Sequence, residues 1–126
     1  ISDAVKKTFQ SENVESQNNH ISVFLTSDEN IKELNLKYRK KNKATNVLAF
    51  PIQESIENKN YIGDLAISLE KIISESNKYK IKKNKYLSQI TIHGILHLLG
   101  YDHINDDDYE IMNKIEDRII KELYCN

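Results

Sequence analysis

Three of the four histidines in this 126-residue chain fall within eleven residues, in the run His93-Gly-Ile-Leu-His97-Leu-Leu-Gly-Tyr-Asp-His103. On a helix, His93 and His97 lie one turn apart on the same face, so their imidazoles can converge on one ion; a turn at Gly100 can fold His103 back beside them. Three nitrogen ligands leave one position of a tetrahedral ion for water, the arrangement of a catalytic zinc rather than of a closed structural site. Such an ion lowers the pKa of its water and supplies hydroxide near neutral pH. Imidazole also suits copper, nickel and iron. The competing reading, core or surface histidines on an apolar helix, suits one isolated His better than three at this spacing beside a glycine. Asp102 can orient a ligand histidine, serve as a base, or simply form the turn.

The spacing is also that of the metzincin protease signature H-E-x-x-H-x-x-G-x-x-H, with Gly94 where those enzymes carry their general base, so a protease of that mechanism is disfavoured. Glycine inside a helix costs up to about 1 kcal/mol against alanine, which predicts close approach of another backbone or of a substrate at Gly94. Lys37, Arg39, Lys40, Lys41 and Lys43 put five positive charges in seven residues, and Lys78, Lys80, Lys82, Lys83 and Lys85 put five in eight. Either run alone reads as a solvated surface opposing a helix dipole. If both flank the metal, they would attract a polyanion and hold a phosphodiester near the bound water, with Arg39 as the bidentate phosphate ligand.

The elements that must position these groups follow from the hydrophobic pattern. With 39% hydrophobic residues and 18 basic against 19 acidic groups, residues 1–126 suit one domain. There is no apolar run of membrane-spanning length and no apolar N-terminal leader, so a soluble, cytoplasmic protein without membrane partners is expected. The lone Cys125 excludes an internal disulfide and a Cys-rich zinc module. Residues 3–10 read as a helix with Ala4, Val5 and Phe9 inward, followed by a polar loop over 11–19. Alternation over 21–26 reads as a strand. Ser27 caps a helix to Tyr38 with Ile31, Leu34 and Tyr38 inward. Strands at 47–52 and 61–68 can form a hairpin across the polar turn 54–60. Ser68 caps a helix to Tyr79 with Leu69, Ile72, Ile73 and Ser76 inward. A largely buried helix covers 85–99, closed by Gly100, and Asp106 caps a last helix to Leu123 whose inner stripe is Tyr109, Met112, Ile115, Ile119 and Leu123. This order predicts an α+β fold: a small sheet packed by four to five helices, with the metal site at the end of the central buried helix.

On these residues the chain resembles the YbeY endoribonuclease family, the rRNA maturation factors. The family motif H-G-x-L-H-L-x-G-Y-D-H is complete from His93 to His103. Its upstream block matches Leu34-Asn35-Leu36-Lys37-Tyr38-Arg39 and Thr45-Asn46-Val47-Leu48-Ala49-Phe50-Pro51, its G-D-[IL] strand matches Gly63-Asp64-Leu65, and Met112 and Glu116 match the M and E of its C-terminal helix. The resemblance implies an α+β fold with a small mixed β-sheet packed by helices, and a metal-dependent, single-strand-specific endoribonuclease acting in small-subunit rRNA 3′-end maturation and ribosome quality control. It implies His93, His97 and His103 as ligands of one Zn2+ and Arg39 as the catalytic or RNA-binding arginine. Ala49 replaces the usual Ser and Ala44 a frequent Pro; the first removes a possible hydroxyl contact to substrate, the second loosens a loop. The family's fold usually opens with a strand ahead of the helix at which this sequence begins.

The expected partners are single-stranded RNA, rRNA above all, the small ribosomal subunit and its assembly factors. Arg39 and His97 are the expected catalytic residues, with Lys37, Lys40, Lys41 and Lys43 beside Arg39 on the RNA. The alternatives are a zinc hydrolase of another bond, peptide included, and a non-catalytic ribosome-associated factor whose metal only stabilises the fold. His20 and Cys125 are not expected to bind metal.

Overall fold

The computed structural model describes residues 1–14, 19–51, 61–101 and 106–124. Among them the order is α1 (Ser2–Ser11), β1 (His20–Thr26), α2 (Asp28–Arg39), β2 (Val47–Pro51), β3 (Tyr61–Ser68), α3 (Leu69–Tyr79), α4 (Lys83–Leu98) and α5 (Asp106–Tyr124). The fold is α+β, with a three-stranded mixed sheet of order β1-β3-β2, β1 parallel and β2 antiparallel to β3.

Two serines start helices as their chemistry requires. Ser27 accepts from Asn30 N and Ser68 from Lys71 N, each relieving one orphan amide of a first turn. The sheet's inner face packs Ala49, Leu65 and Ile67 against Phe9 of α1, Ile72 of α3 and Ile90, Ile95 and Leu98 of α4. The far side of α4 meets α1 and α5 through Ala4, Ile92, Leu96, Met112 and Ile119. Helix α4 is thus enclosed between sheet and helices, and from Ile90 to Leu98 every residue except His93 and His97 is buried. On the sheet's outer face α2 covers Leu48 and Ala66 with Ile31 and Leu34.

Several expected inner positions lie outside. Tyr38, Leu69, Ile73 and Tyr109 are exposed, because α2, α3 and α5 each touch the core along a narrow stripe. Asn35 takes the buried place on α2 expected for Tyr38, and Ser76 with Ile72 alone forms the buried line of α3. Helix α4 starts two residues earlier than the periodicity suggests, and α5 includes Asp106 rather than following it. Gly100 takes φ +105, the left-handed turn that lets the chain leave α4 at once.

Candidate metal and phosphate cleft

Between Ile90 and Leu98, His93 and His97 are the only residues of α4 not fully buried, and their Nε2 atoms stand 3.1 Å apart. Their Nδ1 atoms are both engaged: that of His97 donates to the carbonyl of Tyr101 at 3.0 Å, and that of His93 meets the Glu116 carboxylate of α5. A carbonyl and a carboxylate only accept, so the partners assign the protons to Nδ1. In neutral rings the two Nε2 lone pairs then face each other, which is repulsive unless a cation or proton lies between them. A tetrahedral zinc with bonds of about 2.0–2.1 Å sets its nitrogen ligands about 3.3–3.4 Å apart; the observed pair stands a little closer than that, within reach of one shared ion. A carboxylate or backbone carbonyl on the second ring nitrogen is also the usual support of a metal-binding imidazole. His103 and Asp102 lie outside the described residues; within these, no group of three or more His, Cys, Asp or Glu side chains could hold an ion.

The histidines line a cleft of about 610 Å³ with Asn35, Arg39, Lys41, Lys43 and Tyr101. Arg39, the last residue of α2, is fixed by a 2.6 Å bond from Nη2 to the carbonyl of Ala49 on β2 and lies over the Phe50 ring. Position 49 therefore contributes its backbone to the arginine while its methyl joins the core beside Leu65. Lys40 caps α2 in the left-handed conformation, and the amides of Lys40 and Lys41 return to Leu36 O and Asn35 O. The Asn35 side chain donates to Lys43 O at 2.9 Å, so the basic loop is tied to the helix at two points. Tyr101 bonds Glu12 of the chain following α1, and that bond holds its hydroxyl above the ordinary phenol range.

The structure thus brings Arg39, Lys41 and Lys43 to the histidines. Lys37 lines a different groove on the sheet's outer face, and Lys40 lines neither. The second lysine run does not flank the cleft: Lys83 and Lys85 begin α4, so Lys83 is ten residues before His93, about 15 Å along the axis. The close approach expected at Gly94 exists, but with side chains rather than a backbone or substrate. A Cβ there would meet Leu65 Cδ2 at 2.8 Å and Val47 Cγ2 at 3.2 Å. A side chain at position 94 is directed into the sheet, so a protease-type base there has no room.

Sequence reasoning missed the roles of Glu116 and Asn35. The signal for Glu116 was a carboxylate interrupting the inner apolar line of α5 between Met112 and Ile119. Asn35 carried no comparable mark, since its task is to hold a loop backbone.

The model of the family described as endoribonuclease YbeY matches residues 1–124. The endoribonuclease YbeY of Buchnera aphidicola from Acyrthosiphon pisum is 43% identical over 106 residues, 83% of this chain and 68% of that protein. That of Syntrophomonas wolfei is 38% identical over 117 residues, 86% of this chain and 75% of that protein. That of Legionella pneumophila strain Corby is 43% identical over 114 residues, 87% and 72% respectively. The solution structure of a Thermotoga maritima protein superposes with a TM-score of 0.66 at 29% identity, covering 98% of this chain and 80% of that one.

Proposed function

The chain belongs to the endoribonuclease YbeY family, and from that premise we propose that it is a zinc-dependent endoribonuclease specific for single-stranded RNA. In this reading it acts in the cytoplasm on the 3′ end of small-subunit rRNA and in ribosome quality control, with the small subunit and assembly factors as partners. The observation that carries the reading is the convergence of His93 and His97 Nε2 at 3.1 Å in the cleft that also holds Arg39.

His93, His97 and His103 would hold one ion. When bound, zinc supplies a Lewis acid and a water of lowered pKa. Glu116 and the Tyr101 carbonyl keep the two imidazoles in the tautomer that presents Nε2. Arg39, with one Nη on Ala49 O, has further N–H donors for a phosphate oxygen and neutralises charge growing on the pentacoordinate phosphorus. Lys41 and Lys43 draw the polyanion into the cleft. Tyr101, its pKa raised by the bond to Glu12, meets the substrate as a neutral phenol.

The test is cleavage of end-labelled single-stranded RNA by the zinc-loaded protein beside identically purified His97→Ala and Arg39→Ala. His97→Ala loses zinc and cleavage; Arg39→Ala keeps zinc and loses about 100-fold or more in rate. Equal cleavage by all three would expose a contaminant and refute the proposal. Binding without cleavage in any would favour the docking factor. With three cations in the cleft, log affinity falls against log salt with a slope of about −2; a flat profile would remove the basic loop from the RNA surface.

A further inference from the structure

A second concavity, about 690 Å³, lies on the outer face of the sheet beside α2, and its walls are unusual for a surface groove. They include the rings of Phe24, Tyr38 and Phe50, with Phe24 56% and Tyr38 59% exposed. The Tyr38 and Phe50 rings meet edge to face at 5.5 Å, and Lys37 lies over Tyr38. This groove and the metal cleft are on opposite faces of the sheet but meet at the edge strand β2. Phe50 lines the groove, its neighbour Ala49 lines the cleft, and Arg39 spans the two by bonding Ala49 O while covering Phe50.

We propose that this groove is a nucleobase-stacking subsite for single-stranded RNA that leaves the cleft around the edge of β2. The inference rests on the ribonuclease reading and adds to it how the substrate is gripped beyond the reacting phosphate. Aromatic faces accept any base, and cations beside them follow the sugar-phosphate chain, the combination by which single strands are held without sequence preference. Glu33 and Asp64 in the same lining repel phosphate and accept hydrogen bonds from base N–H groups. The bases therefore turn inward while the backbone runs on the Lys37 and Arg39 side. A duplex, whose bases are already stacked on each other, cannot use such rings, so the groove supplies a physical basis for single-strand preference.

Fluorescence anisotropy with a dinucleotide, a decanucleotide and an abasic decanucleotide of the same backbone tests this on the whole chain. Phe24→Ala and Tyr38→Ala each weaken decanucleotide binding by about fivefold or more and affect the dinucleotide and abasic strand far less. Phe24→Tyr retains the affinity. Tyr79→Ala, an equally exposed tyrosine on α3, changes neither, and unfolding midpoints confirm that the variants fold. Wild-type affinity in both groove variants, or equal losses with the abasic strand, would overturn the subsite and leave the ribonuclease reading standing. Phe24→Leu binding like wild type would also overturn it, because an aliphatic side chain offers no π-face for a base to stack on. No RNA binding by the unmodified protein would overturn both readings.

Discussion

Gly94→Ala is expected to destabilise the protein although alanine is the better helix former. The substitution gains about 1 kcal/mol of helix propensity. Against that, the new Cβ would stand 2.8 and 3.1 Å from the two Cδ atoms of Leu65 and 3.2 Å from Val47 Cγ2, well inside the 3.5–4.0 Å of ordinary carbon contact. Leu65 is fully buried and has no solvent to swing into, so overpacking costs about 1–3 kcal/mol. The net loss is then about 1 kcal/mol, which for a chain of this length lowers the unfolding midpoint by about 3–5 °C. Leu65→Val removes the crowding atoms at a cost of about 1 kcal/mol by itself. Because the two sites share one space, Gly94→Ala in the Leu65→Val background should be neutral or stabilising, and urea titrations of the four proteins give the coupling directly. A raised midpoint in Gly94→Ala alone, or strict additivity around the cycle, would refute the claim that helix and sheet are in contact limit at this point.

Glu116→Gln keeps the shape of the His93 partner but removes its charge, and zinc affinity by chelator competition should fall about 10- to 100-fold with little change in circular dichroism; unchanged affinity would mean that Glu116 serves packing alone. Tyr86→Phe removes the 2.8 Å bond to Glu75 and should cost about 0.5–1.5 kcal/mol at neutral pH. Burial, then the bond to Glu75, raise the Tyr86 pKa above the ordinary 10.0. The unfolded tyrosine therefore loses its proton first, and wild-type stability falls above about pH 10 by up to about 1.4 kcal/mol per pH unit. The phenylalanine variant lacks that slope, so the gap between the two in urea unfolding should narrow as pH rises; a constant gap would contradict the assignment.

What the sequence made legible was whatever repeats or punctuates. Ser27 and Ser68 marked helix starts within one residue of where α2 and α3 begin, and Gly100 marked the exit from α4. The histidine spacing alone puts two rings on one helix face, and α4 brings them together. What stayed hidden depended on partners distant in sequence. Periodicity assigns Tyr38 to the inner face of α2, but its ring rests edge to face on Phe50 of the edge strand β2 and stays exposed. Asn35 is buried because a loop carbonyl eight residues later needs a donor, which no pattern within α2 encodes. Two adjacent strand signals also suggested a hairpin, and β2 and β3 do pair; the parallel insertion of β3 beside β1 is a property of the whole sheet.

The same packing explains how a small chain can hold a cleft rigid. The groups that line it come from separate elements, the imidazoles from α4, the carboxylate behind them from α5 and the guanidinium from the end of α2 braced on β2. Each donor element is anchored by side chains with little or no exposure: Ile92 and Leu96 against Met112 and Ile119 for α4 and α5, Ile31 against Leu48 and Ala66 for α2. A shift of α5 on α4 therefore carries Glu116 with it, whereas a shift of α2 on the sheet moves Arg39 and leaves the histidines in place. Core substitutions at Met112 or Ile119 should thus act on the imidazole pair and those at Ile31 on the Arg39 guanidinium, so the two halves of the candidate site are separable through residues that never touch it.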